Sequence, residues 1–324
     1  MKKNIYLVTG CAGFIGFHTT EVLLKQGFTV IGIDNMDKYY DVKLKSKRLS
    51  MLKQKNNFKF FKIDICNFSK MLMIFNKYKI FKIIHLAAQA GIRYSLINPK
   101  KYVQTNINGF FNILEVTKRF NVKHLLFASS SSVYGNTNDV PFKENQSTDK
   151  PLQIYATTKK SNELMAYCYS NLHNLSITGL RFFTAYGPWG RPDMAIYIFT
   201  EKILSNKPVK IFNNGNHSRD FTYISDIVGG ILKLLKINKG KKKFEIYNIG
   251  NSKPVKINKT LNLIEKQLNK KAKKVYLKKQ PGDMVDTYSD ISKFKKKFNF
   301  HPKVKIEEGI TMFVKWYKDY NNLK

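Results

Sequence analysis

The first half of the chain alternates short runs of apolar residues with longer segments in which apolar residues recur every three or four positions. The short runs predict five buried strands, at Asn4–Thr9, Thr29–Ile33, Phe58–Ile63, Lys82–Ala87 and His124–Ser129. The longer segments predict helices, at Phe14–Lys25, from Pro99 to about Arg119, and from about Ile154 to Leu172. Alternation of strands with helices is typical of a parallel sheet whose strands are joined by crossover helices.

This regular alternation ends after a further apolar run at Ser176–Phe183. The segment YGPWGRPDM at 186–194 holds two prolines and two glycines, and we predict that it is a loop. Shorter elements of both kinds follow, helical near 194–205, 224–235, 257–268 and 307–320, and extended at 209–212 and 245–249.

We therefore predict an α/β protein built on a Rossmann-type doubly wound parallel sheet, with a smaller mixed α/β lobe at the C-terminal end. Residues 1–180, with later contributions near 221–250, are expected to form the Rossmann domain. Residues 181–324 are expected to form most of the smaller lobe.

The net charge raises the question of a nucleic-acid partner. The 324 residues carry 57 Lys+Arg against 22 Asp+Glu, a formal net charge of +35, and 43% of them are hydrophobic. A strongly basic surface attracts polyanions, so a basic module that acts on nucleic acid is one alternative. The lysines are scattered among many Asn, Ile and Phe residues, which favours solvated faces. We therefore expect no nucleic-acid partner.

The apolar runs bear on membrane insertion, and the cysteines bear on metal binding and on the cellular compartment. No apolar run is long enough to span a bilayer or to form the core of a signal peptide. Cys11, Cys66 and Cys168 have neither the spacing of a disulfide framework nor that of metal ligands. We expect a cytoplasmic protein with no membrane partner and no metal.

A glycine-rich turn follows the first predicted strand. In LVTGCAGFIG, Gly10, Gly13 and Gly16 lead from this strand into the first helix. Glycines here allow a tight turn, a close approach of the backbone to a pyrophosphate, and close packing of helix on strand. The helix N-terminus then presents N–H groups and the positive end of its dipole to the phosphates. The spacing Gly-x-x-Gly-x-x-Gly is one residue from the dinucleotide-binding fingerprint.

An acidic residue at the end of the second strand indicates which dinucleotide binds. Asp34 lies 21 residues after Gly13, where a carboxylate can accept hydrogen bonds from both hydroxyls of an adenosine ribose and would repel a 2′-phosphate. Asn35 and Met36 supply no arginine for such a phosphate, so NAD is predicted rather than NADP. The alternative is that Asp34 only forms a turn or caps a helix. Asp64, after the third strand, is predicted to contact the adenine edge.

Two further features predict catalysis. Tyr155 and Lys159 are four residues apart in QIYATTKKSNEL, a spacing that puts both on one face of a helix. An ammonium group beside a phenol stabilises the phenolate and makes it a usable base near neutral pH. Ser129–Ser132 end the fifth strand, where open α/β sheets bind ligands. Each feature alone has a structural explanation, as a surface pair or a strand exit, but their combination indicates an active site.

These motifs belong to longer blocks of sequence, GCAGFIGFH, DKYYDVKLKSKRL, HLAAQAGIRYSLINP, ASSSSVYG, YATTKKSNE, LRFFTAYGPWGRPDM and RDFTYISDI. Over nearly the whole chain they resemble the extended short-chain dehydrogenase/reductase family and, within its NAD-dependent epimerases and dehydratases, the UDP-glucuronate 4-epimerases. The resemblance implies a homodimer, formed through the helices near 99–119 and 154–172.

The resemblance also implies roles for individual residues. The catalytic residues would be Tyr155 and Lys159, with Ser130 as the assisting hydroxyl. Besides the catalytic pair, the contacts to NAD would come from Gly10, Gly13, Phe14, Ile15, Gly16, Asp34, Asn35, Asp64, Ile65, Leu86, Ala87, Ala88, Gln89, Asn106 and Ser129. The contacts to a UDP-sugar would come from Arg93, Ser130, Ser131, Ser132, Tyr155, Thr184, Arg191, Arg219 and Asp283, with Arg219 on the diphosphate.

The reaction implied by the resemblance is inversion at C4 of UDP-glucuronate through a transient 4-keto sugar, which gives UDP-galacturonate. In that ketone the C5 carboxylate could leave as CO2, and the hydroxyls of Ser131, Ser132 and Thr184 would hold it out of alignment. Related decarboxylases and dehydratases carry acidic residues in the segment that matches SSSSVYG, which has none here, and 4-epimerases of neutral sugars carry Asn at the Thr184 position. The alternative substrate is UDP-N-acetylglucosamine or its uronic acid.

Overall fold

The chain forms two compact units, each assembled from separate stretches of sequence. The computed structural model describes residues 4–135, 137, 139–236, 243–280, 282 and 284–323. The first unit comprises Met1–Gly135, Ser147–Arg181 and Ile231–Tyr247. The second unit comprises Asn136–Gln146, Phe182–Gly230 and Asn248–Lys324.

Strands and helices alternate along the chain. The strands in the described residues are β1 Ile5–Thr9, β2 Thr29–Asp34, β3 Phe58–Lys62, β4 Ile80–His85, β5 His124–Ser130, β6 Ile177–Phe182, β7 Thr184–Tyr186, β8 Val209–Phe212, β9 Ser218–Tyr223, β10 Phe244–Ile249, β11 Pro254–Lys256 and β12 Lys274–Leu277. The α-helices in the same residues are α1 Phe14–Lys25, α2 Val42–Lys53, α3 Phe68–Lys77, α4 Ile92–Ile97, α5 Pro99–Tyr102, α6 Gly109–Arg119, α7 Ile154–His173, α8 Ala195–Leu204, α9 Ile224–Leu235, α10 Ile257–Leu268, α11 Ser292–Phe298 and α12 Ile306–Tyr320. A π-helical stretch, Val103–Asn108, joins α5 to α6.

A seven-stranded sheet carries the first unit, in the order β10-β6-β5-β4-β1-β2-β3. The pairs β1–β2, β1–β4, β2–β3 and β4–β5 are parallel. From β3 to β6 the strand order reverses at β1, which is the topology of a doubly wound dinucleotide-binding fold. The predicted fold class is confirmed. The order also places the carboxyl ends of β1, β2, β4 and β5 at one edge of the sheet, where such folds bind ligands.

The sheet is buried on both faces, as its continuous apolar runs require. Leu7 and Ile31 lie on one face of β1 and β2, Val8 and Val30 lie on the other face, and all four have no exposed surface. Burial of one such side chain stabilises the fold by about 1.5–3 kcal/mol relative to leaving it in water. This rigid core fixes the strand ends that hold the candidate site.

The predicted single helix from Pro99 to Arg119 is interrupted. It is α-helical at both ends but π-helical over Val103–Asn108. A π-helical turn holds one residue more than an α-helical turn. Asn106 lies in this stretch and is buried, and its side chain hydrogen-bonds to Gln89 and Thr158. These hydrogen bonds explain the π-helical stretch, because they fix the position of the buried Asn106 side chain inside the first unit.

The helix α2 is not among the sequence predictions because lysines dominate its sequence. It starts at an N-cap, where Asp41 accepts a hydrogen bond from the N–H of Lys43 at 2.8 Å. Leu44, Leu49 and Leu52 form its buried stripe. The apolar stripe is narrow, and the charged residues around it conceal the helical period in the sequence.

The second unit contains two small sheets and the remaining helices. The three-stranded sheet has the order β11-β9-β7, with β9 antiparallel to β11 and parallel to β7. The two-stranded sheet pairs β12 with β8. Trp189 and Tyr197 contact the aromatic side chains of Trp316 and Tyr317 on α12. The predicted mixed α/β character of this region is confirmed.

The state of the cysteines and the hydrophobicity of the helices bear on the environment of the protein. All three cysteines are free, with Cys11 buried, Cys66 half-buried and Cys168 exposed. Among the described residues, no helical stretch has the length and hydrophobicity that a transmembrane span requires.

Candidate active site

The glycine-rich turn between β1 and α1 has no room for side chains. Gly10 has a φ of +71°, and a Cβ atom there would lie 2.7 Å from the backbone nitrogen of Ala87. A Cβ atom on Gly16 would lie 2.0 Å from the carbonyl oxygen of Gly10. Non-bonded atoms cannot approach so closely, so the turn requires glycine at both positions. In this described stretch α1 begins after Gly13 with no side-chain cap, a start that suits an anion such as a pyrophosphate.

Ala12, within the turn, is held by two charged side chains. Its N–H donates to Oδ2 of Asp34 at 3.1 Å, and its carbonyl oxygen accepts from Nη1 of Arg48 at 2.9 Å. Arg48 is fully buried on α2. Asp34 also accepts a hydrogen bond from the N–H of Met36 at 2.8 Å. Burial raises the pKa of Asp34, whereas Lys45, the two N–H donors and Arg48 oppose this increase.

Asn35 and Asp64, two of the predicted NAD contacts, lie together. Asn35 Nδ2 donates to Asp64 Oδ2 at 2.9 Å, and the N–H of Cys66 donates to Asp64 Oδ1 at 2.8 Å. Burial raises the pKa of Asp64, but these hydrogen bonds outweigh it and the pKa lies below its usual value. A cavity of about 970 Å³ begins here, lined by Asn35, Met36, Asp37, Lys38, Tyr39, Lys62, Asp64, Lys70, Tyr94 and Lys101. Its volume is in the range of ligand pockets.

The segment Leu86–Gln89 after β4 is tied to the helix that carries Tyr155. The N–H of Gln89 donates to Asn106 Oδ1 at 2.8 Å, and Asn106 Nδ2 donates to Thr158 Oγ1 at 3.0 Å. Thr158 in turn donates to the carbonyl oxygen of Tyr155 at 2.8 Å. The structure therefore joins two of the predicted cofactor residues, Gln89 and Asn106, to α7, the helix that carries Tyr155.

The remaining predicted cofactor residues occupy the same edge of the sheet. Phe14 and Ile15 form the first residues of α1, and Ile65 follows β3. Phe14 and Ile65 are buried. Leu86 follows β4 directly, and its N–H donates to the carbonyl oxygen of Thr9 at 3.1 Å.

The serine segment, Ser129–Ser132, spans the end of β5 and the start of a 3-10 turn, and all four residues are buried. The hydroxyl of Ser130 accepts a hydrogen bond from the N–H of Ser132 and donates to its hydroxyl oxygen, both at 3.2 Å. The hydroxyl of Ser129 donates instead to Oε1 of Glu163 at 2.6 Å. Hydroxyl groups are thus concentrated at the carboxyl end of a central strand.

The predicted pair, Tyr155 and Lys159, lies on α7. Lys159 is only 2% exposed, and its Nζ donates to the carbonyl oxygen of Ala128 on β5 at 2.7 Å. Burial lowers the pKa of Lys159 to about 8, and the carboxylate of Glu163 opposes this effect. Tyr155 is half-buried, with its ring edge-on to that of Tyr102 at a centroid distance of 6.1 Å. The lysine therefore holds an ammonium inside the unit, one helical turn from the phenol.

His85 lies at the end of β4, close enough for its pKa to respond to Lys159. Its Nδ1 is 2.8 Å from the hydroxyl oxygen of Thr9. Burial and the charge of Lys159 lower the pKa of His85 to about 3. The imidazole is therefore neutral at physiological pH.

Two of the predicted substrate residues share the three-stranded sheet of the second unit. Thr184 opens β7 and pairs with Phe221 on β9, two residues beyond Arg219. Arg219 Nη1 donates to the carbonyl oxygens of Ser218 and Val285, each at 2.9 Å. These backbone contacts hold the guanidinium in a defined orientation.

The other predicted substrate residues are more dispersed. Arg191, also in the second unit, is paired with Asp193, with a distance of 3.0 Å from Nε to Oδ1. Arg93 is exposed on α4 of the first unit. Asp283 lies outside the described residues.

Sequence reasoning missed three buried charged residues at the site, Arg48, Glu163 and Arg181. Arg181 Nε and Nη2 donate to the two oxygens of Glu163 at 2.9 and 2.8 Å. Two signals were available. Arginine is scarce beside lysine in this sequence, and Glu163 follows Lys159 by four residues on the same helix face.

These features define a class of protein, a dinucleotide-dependent enzyme of the Rossmann fold with a tyrosine–lysine pair. The fit to NAD rests on the turn, in which a Cβ atom on Gly10 or Gly16 would collide with backbone, and on the buried carboxylate of Asp34. Gly10, Gly13, Gly16 and Asp34 would hold the cofactor's pyrophosphate and ribose.

Comparison with known sequences identifies the family. The family model described as "GDP-mannose 4,6 dehydratase" matches residues 7–313. The chain therefore belongs to this family of NAD-dependent epimerases and dehydratases. It is 48% identical over 315 residues to the UDP-glucuronate 4-epimerase of Thermodesulfobacterium geofontis, covering 97% of this chain and 96% of that protein.

Solved structures of nucleotide-sugar 4-epimerases are similar to this chain in sequence and in fold. A UDP-glucuronic acid 4-epimerase from Bacillus cereus, in complex with UDP-glucuronic acid and NAD, is similar with a TM-score of 0.91 and 34% identity, covering 98% of this chain and 99% of that one. A UDP-N-acetylglucosamine 4-epimerase from Methanobrevibacter ruminantium M1, in complex with UDP-N-acetylmuramic acid, is similar with a TM-score of 0.86 and 28% identity, covering 99% and 100%.

Proposed function

We propose that the chain catalyses the NAD-dependent 4-epimerisation of UDP-glucuronate to UDP-galacturonate. The observation that carries this proposal is the end of β5, where the buried ammonium of Lys159 binds the strand two residues before the hydroxyl of Ser130. The likeness to an epimerase solved with UDP-glucuronic acid and NAD supports the choice of substrate and cofactor. The enzyme is thus an isomerase, with no net oxidation of its substrate.

The residues of α7 and β5 supply the acid–base chemistry. Tyr155, as a phenolate, accepts the proton of the C4 hydroxyl, and the ammonium of Lys159 stabilises the phenolate. Ser130 donates a hydrogen bond to the same oxygen. NAD, when bound, would supply the redox chemistry as a reversible hydride acceptor at C4.

A uronate substrate requires that its carboxylate be retained while C4 is a ketone. Loss of CO2 from a β-keto acid needs the breaking C–C bond to align with the carbonyl π system. We assign Ser131 and Ser132, whose buried hydroxyls follow Ser130, to holding the carboxylate out of that alignment. Orientation of this kind changes rates by orders of magnitude. Thr184 is assigned the same task.

Four further residues complete the proposed substrate contacts. Arg219 is assigned to the diphosphate, since a guanidinium offers a planar fork of donors to phosphate oxygens. Arg93, Arg191 and Asp283 are assigned to the remainder of the UDP-sugar. The likeness to a UDP-N-acetylglucosamine 4-epimerase favours an N-acetylhexosamine as the second candidate substrate, at a lower identity of 28%.

The decisive experiment is product analysis by NMR. Purified protein with added NAD is incubated with UDP-glucuronate, and we expect UDP-galacturonate to appear until the two reach equilibrium. A UDP-pentose with release of CO2 would overturn the proposal. Faster turnover of UDP-N-acetylglucosamine, supplied in competition in the same tube, would favour the second candidate.

We also propose that the chain acts as a homodimer through the helices near 99–119 and 154–172. Large apolar side chains are exposed there, with Leu172 at 72%, Leu164 at 57%, Tyr167 at 55% and Val103 at 46% exposure. A concentration of exposed apolar residues is typical of an interaction surface. A second copy of the same face would cover it, as in a two-fold dimer.

Sedimentation velocity tests the dimer. The variant Leu164→Lys/Tyr167→Lys should sediment as a monomer, because it places charges on the proposed contact. The control is Met73→Lys, on α3, which alters an equally exposed apolar side chain outside this face (69% exposed). Equal sedimentation of both variants with the wild type would contradict the assignment.

We further propose a cytoplasmic location without a nucleic-acid partner. The free cysteines Cys11, Cys66 and Cys168 suit a reducing compartment. Binding of DNA with a steep dependence on salt concentration would contradict the proposal that the protein has no nucleic-acid partner.

A further inference from the structure

The structure contains a buried carboxylate that the proposed chemistry does not use. Glu163 lies on α7, one helical turn after Lys159, and its side chain is only 4% exposed. A buried carboxylate is costly unless its oxygens are hydrogen-bonded and its charge is paired. Its partners therefore indicate why it is there.

Both oxygens of Glu163 are engaged. Oε1 accepts from the hydroxyl of Ser129 at 2.6 Å and from Nε of Arg181 at 2.9 Å, and Oε2 accepts from Nη2 of Arg181 at 2.8 Å. The arginine side chain, on β6, is also 4% exposed. This forked, charge-assisted geometry is among the stronger hydrogen-bonded arrangements in proteins.

Lys159 and Glu163 hold consecutive residues of one strand. Lys159 donates to the carbonyl oxygen of Ala128, and Glu163 accepts from the hydroxyl of the next residue, Ser129. The residue after these two is Ser130, the proposed assisting hydroxyl. One face of α7 thus fixes the position of the catalytic serine relative to the helix that carries the catalytic tyrosine.

The Glu163–Arg181 ion pair also contacts Tyr134, two residues after the serine segment. The guanidinium carbon of Arg181 lies 4.8 Å from the ring centroid of Tyr134, over its face. Tyr134 ends the 3-10 turn that begins at Ser131. Ser130–Ser132 therefore lie between two residues, Ser129 and Tyr134, that contact one buried ion pair.

The charge of Glu163 acts on Lys159 as well. Burial lowers the pKa of Lys159 to about 8, and the negative charge of Glu163 opposes this decrease. Apart from the phenolate that Tyr155 forms in the proposed reaction, the other titratable groups near Lys159 in the part of the chain that the structure describes carry no negative charge. His85, on β4, is neutral because burial and Lys159 lower its pKa to about 3. Arg181 is positive, and Tyr155 is the phenol that the ammonium serves.

We propose that Glu163 is a positioning residue that sets the catalytic centre in two ways, holding the serine segment through Ser129 and Arg181 and keeping Lys159 charged. This inference rests on the proposed epimerase function. The two effects are separable, because the first depends on hydrogen bonds and the second on the negative charge. A purely structural role would weaken the fold without changing the protonation of Lys159.

The pH dependence of kcat separates these effects. In Glu163→Gln, the alkaline limb of the profile should move to lower pH by about one unit, which is a tenfold loss of activity at pH values above the limb. In Ser129→Ala the charge remains, so kcat should fall severalfold while the limb stays in place. Glu163→Asp should also leave the limb in place. The control is Glu115→Gln on α6, which removes a carboxylate bonded to Lys118 and Tyr169 and should change neither quantity.

A direct titration distinguishes failure of this inference from failure of the proposed function. Protein labelled with 13C at lysine Cε is titrated by NMR, and the Lys159 signal is assigned by its loss in Lys159→Arg. We expect the midpoint to fall in Glu163→Gln, whether or not the protein turns over UDP-glucuronate. An unchanged midpoint would overturn the inference. Should Glu163→Gln fail to fold, Glu163→Gln/Arg181→Met removes both buried charges together, and its midpoint should also fall, but by less, because loss of the positive charge of Arg181 offsets part of the effect.

Discussion

The glycine-rich turn and the serine segment lie at the carboxyl ends of strands in the same sheet, but different forces hold them in place. The turn is defined by close backbone contacts, such as that between Gly16 and the carbonyl of Gly10. The serine segment is defined by side chains from α7 and β6, chiefly the buried pair of Glu163 and Arg181. The turn depends first on the absence of side chains at Gly10 and Gly16, with the contacts of Asp34 and Arg48 to Ala12 in addition, whereas the serine segment depends on a buried ion pair, so they should fail in different ways.

The largest effect is expected at the catalytic end. Tyr155→Phe removes the proposed base, and activity should fall by about 10²–10⁴-fold, the usual contribution of acid–base catalysis. NAD should stay bound, because the turn is untouched, and denaturation followed by chromatography of the released nucleotide checks this. Tyr276→Phe, at an exposed tyrosine on β12, is the control. Substantial residual activity in Tyr155→Phe would show that another group is the base.

Next in size is Gly16→Ala, which should break the turn alone. The new Cβ atom would lie 2.0 Å from a backbone carbonyl oxygen, so the turn must shift. We expect loss of bound NAD and a decrease of about 1–3 kcal/mol in the free energy of unfolding. Gly229→Ala, on α9, is a matched control, because a Cβ atom there meets nothing within 4 Å. Retention of NAD in Gly16→Ala would contradict the assignment of the turn.

A smaller effect is expected from Asp34→Asn, which keeps the shape of the side chain and removes its charge. Loss of a charged acceptor should weaken NAD binding by about 1.5 kcal/mol, roughly tenfold. Binding of NAD and NADP is measured in parallel by calorimetry on protein freed of cofactor. Equal affinity of the wild type for the two cofactors would contradict the role of Asp34.

The smallest effect concerns His85 and the pH dependence of stability. Its pKa is about 3 in the folded protein and about 6.5 when unfolded. As pH falls below 6.5, only the unfolded state binds the proton, so the free energy of unfolding decreases, by about 0.8 kcal/mol at pH 6. His85→Gln should remove this decrease in urea titrations at pH 6 and 7.5. His301→Gln, at an exposed histidine, should retain it.

The difference between the two regions also explains what the sequence could predict. The turn is local, because Gly10, Gly13 and Gly16 follow one another within seven residues and Asp34 ends the next strand. A motif can therefore identify it. The seven strands of the large sheet follow from apolar runs in the same way, and the predicted fold class is confirmed.

The catalytic centre could be predicted only in part. Tyr155 and Lys159 are visible as a helical pair, but Glu163 meets Ser129 and Arg181 across separations of 34 and 18 residues. No pattern in one sequence states which buried charges will be neighbours. The predicted helix over Pro99–Arg119 was wrong in its middle for a related reason. Its π-helical stretch is held by bonds from Asn106 to residues on other elements.

The clamp on Ala12 has a consequence for how cofactor preference can change. Asp34, the predicted ribose contact, also holds the N–H of Ala12, while Arg48 holds the carbonyl of the same residue. Replacing Asp34 with a small residue to admit a 2′-phosphate would therefore also release the loop that cradles the pyrophosphate. Selectivity between NAD and NADP and affinity for the cofactor would then both depend on the contacts of Ala12. An evolved or engineered variant that binds NADP must first supply a new hydrogen-bond acceptor for the N–H of this residue.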